Sequence, residues 1–210
     1  MFSRFRQQYA TRRDALGTGI PWLPTEPTNS AGYTEFATEF AGASFAGGLC
    51  RFHDADSGTA AQSWIQEAFP QFAHRVTPFG YDWLGRQFAL DSHRIQDGEA
   101  QVLVLEPGTG EVLEIPTSFS GFHDDELINY ADAALAIKFF EAWAAGNPGN
   151  WRLGQSQCVG YRIPLFLGGK DDLGNLEVSD LEVYWMLAGQ LIQQTRGLPP
   201  ASQISGVSIQ

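Results

Sequence analysis

Four histidines, two cysteines and 24 acidic residues are the groups in this 210-residue chain best suited to proton transfer or metal binding. Their spacing argues against most of that chemistry. Cys50 and His53 have Cys-x-x-His spacing, but no second pair completes a site. On a strand, positions i and i+3 point to opposite faces, so a buried Cys beside a surface His is expected. Asp54, Asp56 and Gly58 open like a calcium loop, yet the sixth position, which must be Gly for the sharp turn, is Thr59. An Asp-rich turn capping a helix is predicted instead. The stretch Gly168 to Asp172 looks like the end of a phosphate loop but fails on both sides. Pro164 stands where the turn glycine belongs, and Asp171 replaces the magnesium hydroxyl. His74, His93 and His123 lie in separate segments without a Gly-x-Ser-x-Gly elbow. No metal or cofactor is expected. The enzymatic alternative is a small hydrolase using Asp82, Arg86, Asp91 and either His93 or His123, and it requires these side chains to converge around a pocket near the central strands.

The acids suggest a second kind of chemistry, recognition by charge. Asp and Glu outnumber the 13 Lys and Arg to give a net charge of −11, which argues against a general nucleic-acid binder, because such proteins neutralise phosphates with cations. The excess is local: ten acids between Asp97 and Glu141 face Lys138 alone. Asp97, Glu99, Glu111, Glu114, Asp124, Asp125 and Glu126 are the predicted partner-binding patch. For Asp124, Asp125 and Glu126 the plainer alternative is a solvated helix start, where the dipole favours acids.

The elements that must position these groups are those of one α+β domain over 1–210, with a possible subdivision at 74/75. Apolar residues make up 43% of the chain and charged residues 18%, enough to fold around a sizeable core. Phe2, Phe5 and Tyr9 line one face of a short basic helix ending before Asp14, and the prolines of segment 20–28 make an extended surface connector. Tyr33, Phe36 and Phe40 define a second helix with Ser30 as its cap, followed by a strand through 44–52. A third helix, capped by Asp56 or Ser57, buries Trp64, Ile65, Ala68 and Phe69. Runs 79–91, 101–107 and 110–116 form an antiparallel meander whose last two members are joined by a Pro-Gly-Thr-Gly turn. One or two helices follow, with a core stripe of Ala134, Leu135, Phe139 and Trp143. The last helix starts from a Ser179/Glu182 capping box and ends at Gly197 and Pro199. The sum is a central twisted antiparallel sheet with helices packed on it and a helix at each end of the chain.

Cys50 and Cys158 cannot build a disulfide framework, no apolar run reaches the ~18 residues of a membrane helix, and the N-terminal segment lacks the apolar core of a secretory signal. A cytoplasmic protein without membrane or nucleic-acid partners is expected.

Residues 158–191 carry the most specific pattern. Gly160, Tyr161, Pro164, Leu167, Gly168, Gly169, Asn175 and Leu176, followed by the last helix, resemble the C-terminal signature of the Tdi-type immunity proteins of type VI secretion systems. Segments 82–91, including Gly85, and 105–116 are similar to the strand block that precedes it, and 1–74 to a GAD-like region. The resemblance implies an architectural role for the Leu-Gly-Gly element. For the whole chain it implies a non-enzymatic protein that binds and neutralises a cognate toxin, often a nuclease.

Overall fold

The computed structural model describes residues 1–10, 13–15, 19–24, 30–149 and 151–197. In chain order the elements are α1 (Ser3–Gln8), β1 (Arg13–Ala15), α2 (Tyr33–Phe40), β2 (Ser44–Phe45), β3 (Cys50–Phe52), α3 (Ala55–Ala68), β4 (Val76–Asp82), β5 (Gln87–Gln96), β6 (Glu99–Glu106) and β7 (Glu111–Ser118). A short helical turn α4 (Phe119–Gly121), a π-helical turn over Phe122–Glu126, α5 (Leu127–Asn129), α6 (Ala131–Leu135) and α7 (Ile137–Gly146) come next. β8 (Gln157–Tyr161), β9 (Leu176–Asp180) and α8 (Leu181–Thr195) finish the fold.

Strands β1 to β7 form one antiparallel sheet in sequence order, and β8 pairs with β9 in a separate hairpin. This is the α+β architecture expected. Helices cover both faces, and β6 shows why its sequence reads as an unbroken apolar run. Val102 and Val104 enter a core with α1, α2 and the 119–146 stretch, while Leu103 and Leu105 enter a second core with α3 and α8. The first core joins Phe2 to Leu176, across the 74/75 boundary.

Several local expectations are corrected. Segment 44–52 is a hairpin, not one strand: Ala46, Gly47 and Gly48 all take positive φ, and the turn is pressed against Trp151 and Leu153, where a Cβ on Gly47 would collide with the Trp151 ring. Segment 79–91 is likewise two strands, folded at Trp83–Arg86 with Gly85 at φ 76°. The cap of α3 is Asp54, whose carboxylate accepts from the Ser57 amide while the Ser57 hydroxyl accepts from the Asp54 amide. Gly32 rather than Ser30 precedes α2, and Asp180 rather than Ser179 caps α8, because β9 runs straight into the helix.

The 127–146 stretch breaks at Tyr130 and at Ala136, which is left-handed at φ 50°; Phe140 is buried there, and Phe139 only half-buried. The connector is anchored, since Trp22 donates to the Pro78 carbonyl and packs on Gly58. Residues 25–29 and Pro199 lie outside the described residues. Among the described residues no helix is long and apolar enough to cross a membrane.

Candidate partner-binding surface

The acids divide into two populations, and the buried one ties the elements together. Asp82 ends β4 with no exposed surface and accepts hydrogen bonds from the Leu84 and Arg86 amides, each at 3.0 Å, and from Arg86 Nε at 2.6 Å. The same guanidinium donates to Glu106 Oε1 at 3.0 Å and to the Ala134 carbonyl at 2.9 Å, and the Thr109 hydroxyl donates to Glu106 Oε2. One arginine therefore joins the β4–β5 turn, β6 and α6. Burial pushes the Asp82 carboxyl up, and the Arg86 charge beside it pulls the other way. At the opposite end of β4, Asp91 is gripped by Arg75 through two bonds of 2.7 and 2.5 Å.

These contacts separate the residues of the hydrolase alternative. Asp91 pairs with Val76, six residues from Asp82 along β4, which is about 20 Å of strand. His93 is exposed. His123 sits inside the aromatic core, with the Phe36 ring at 4.2 Å and the Phe119 ring at 4.5 Å, and its Nδ1 donates to the Phe119 carbonyl. Of these five residues only Asp82 and Arg86 meet, and their donors and acceptors are spent on each other, on Glu106 and on backbone. His53 is fully buried rather than at the surface, because it lies beyond the end of β3, at the junction with α3. It contacts Ser57 and Gln87 and stacks on Tyr81. Desolvation lowers both His53 and His123 to about 4, so each is neutral at pH 7.

The second population follows β7 and the β5–β6 turn. Asp97 occupies that turn at φ 52°, Glu99 is half-buried, and Glu111 and Glu114 are exposed on β7, Glu114 lying 3.4 Å from Arg94. Glu111 pairs in register with Glu106, seven residues from Glu99 on β6, so these acids are spread over about 23 Å along the last two strands and do not form a single cluster. Asp124, Asp125 and Glu126 belong to the π-helical turn and do a different job. Asp124 accepts from the Phe5 amide at 3.0 Å, and Asp125 pairs with Arg4 at 3.5 Å, so both hold α1 down. Glu126 is half-buried, and its carboxyl is raised by burial and by Asp125. Sequence reading did not foresee Arg75, Arg94, Glu106 or Thr109 as partners, nor the exposure of Leu113 on β7. The Asp82/Arg86 spacing around a glycine was the one available signal for the buried network.

The Leu-Gly-Gly region is built by Asn175. Its amide nitrogen donates to the carbonyls of Ile163 (2.8 Å) and Lys170 (2.9 Å), and its Oδ1 accepts from the Ile163 amide at 3.0 Å. A Cβ on Gly169 would stand 1.8 Å from the Ile163 oxygen, and one on Gly160 would meet the Tyr184 ring. Pro164 leads into a short 3-10 turn that ends at Gly168, φ 88°, and the Tyr161 hydroxyl donates to Asp171. The Gly85 carbonyl accepts from Trp185, tying the β4–β5 turn to α8. A cleft of about 500 Å³ lies between the end of α7 and the β8–β9 hairpin, lined by Trp143, Arg162, Leu173 and Glu177 among others.

Residues 117–192 match the family model described as T6SS immunity protein Tdi1, C-terminal. That match bears out the resemblance of the C-terminal segment to a Tdi-type immunity protein and spans the whole Gly160–Asn175 element. No curated protein matches the sequence. Among solved structures, the crystal structure of Atu4351 from Agrobacterium tumefaciens is similar, at 15% identity and a TM-score of 0.54, covering 90% of this chain and 89% of that one. At that identity the likeness is one of fold.

Proposed function

We propose that this chain is a non-enzymatic immunity protein that binds a cognate type VI secretion toxin in the cytoplasm, blocking a basic nuclease through an acidic surface. The observation that carries the reading is the family match over 117–192. Charge supports it. A toxin that cuts nucleic acid presents Lys and Arg to phosphates, and a protein at −11 meets such a surface with complementary potential and faster encounter. Geometry supports it too, since Asp91, the Asp82–Arg86 pair and His123 are engaged in separate structural contacts and His93 lies apart at the surface.

The test is co-expression with the gene that neighbours this one. Rescue of growth from that gene's product, with the two proteins eluting together after purification, is the expected outcome. Full toxicity in the presence of folded protein would overturn the reading.

A further inference from the structure

β7 is the last strand of the seven-stranded sheet and is hydrogen-bonded on one side only, to β6, among the described residues. An open edge of this kind presents a row of backbone donors and acceptors to any strand that can approach it. What approaches is decided by the side chains. Glu111 and Glu114 are exposed, β7 has no Lys or Arg, and Leu113 between them leaves 44% of its surface in solvent. Pro116, which has no N–H, limits pairing to the 111–115 stretch. A second copy of β7 laid antiparallel on this edge would add two more glutamates and no Lys or Arg to the seam, which is unfavourable. Glu111 makes no ion pair among the described residues and Glu114 is exposed beside Arg94 at 3.4 Å, so the net charge of the strand favours a basic one.

Resting on the toxin-binding reading above, we propose that the β7 edge takes an extended basic segment of the toxin as an added antiparallel strand. Side chains alternate across a sheet, so Glu111 and Leu113 share one face and Glu114 looks to the other. Reading the incoming strand from its residue opposite Glu114 to the one opposite Glu111, the complementary pattern is basic, apolar, any residue, basic. Backbone bonds supply the attachment and the two glutamates supply the selection.

The experiment is amide hydrogen exchange on the full chain, alone and saturated with the purified product of the neighbouring gene. Binding is measured in parallel for the double variant Glu111→Lys/Glu114→Lys. The amides of 111–115 are expected to slow by about tenfold or more on binding, and the variant to bind about tenfold or more weakly with its melting temperature unchanged. If the toxin binds with protection elsewhere, and the variant binds as the parent does, the edge proposal is overturned while the immunity reading stands. If the toxin does not bind the parent protein at all, both fall. Because the exchange arm uses unaltered protein, a variant that misfolds leaves the proposal open to refutation.

Discussion

Asp82 and Glu111 both carry carboxylates and stand on the same sheet, yet their surroundings have nothing in common. Asp82 is sealed under two amides and a guanidinium that also reaches Glu106 and Ala134. Glu111 faces solvent on the terminal strand and, among the described residues, makes no ion pair. The first kind of acid is architecture: removing its partner strands a charge where water cannot reach. The second kind is free to meet a partner and contributes little to folding. A net charge counted along the sequence mixes the two.

The most severe way to probe the contrast is Arg86→Met, which leaves Asp82 and Glu106 without their shared cation. Losing one partner of a buried pair costs about 3–5 kcal/mol, so urea denaturation should show a fall of that size; a fall below about 1 kcal/mol would erase the distinction.

Acid titration probes the same interior through His53 and His123. Their folded pKa values are lowered to about 4, below the ordinary 6.5, so the unfolded chain takes up protons first as pH falls. The stability they contribute is complete above pH ~6.5 and drains away between there and about 4. Between pH 7 and 5.5 the two together should cost about 2–3 kcal/mol, and His123→Phe should remove roughly half of that slope. A slope unchanged by His123→Phe would show that the aromatic cage does not hold a neutral imidazole.

Asn175→Ala, deleting the three bonds that knit 163, 170 and 175, is expected to cost about 2 kcal/mol by thermal melting. Smallest of all, Glu111→Lys/Glu114→Lys should shift stability by less than about 0.5 kcal/mol, because both groups are exposed. A large loss there would mean that β7 acids also belong to the architecture.

The sequence made the regular parts of this division readable. α8 follows from the spacing of Leu181, Tyr184, Trp185 and Ala188, and the β6–β7 hairpin from two β-rich runs around Pro107–Gly110. Turns were harder where apolar residues continue through them. Ala46 to Leu49 and Trp83 to Leu84 are buried or nearly so at hairpin ends, because Trp151, Leu153 and α7 pack over those ends, and a polar turn signal is missing. The acids were legible as a group but not as two groups. Whether Asp124 reaches solvent or the Phe5 amide depends on α1 docking 119 residues away, which no local pattern records. His53 was misplaced for a similar reason: its burial comes from Tyr81 and Gln87 on neighbouring strands.

Exposed acids that draw in a basic toxin, as proposed above, must make the encounter depend on salt. Stopped-flow association of the wild-type chain with the neighbouring gene's product, run from about 25 to about 300 mM salt, tests it most directly. The association rate is expected to fall about tenfold or more across that range, while the dissociation rate changes far less. Association that ignores salt would contradict it.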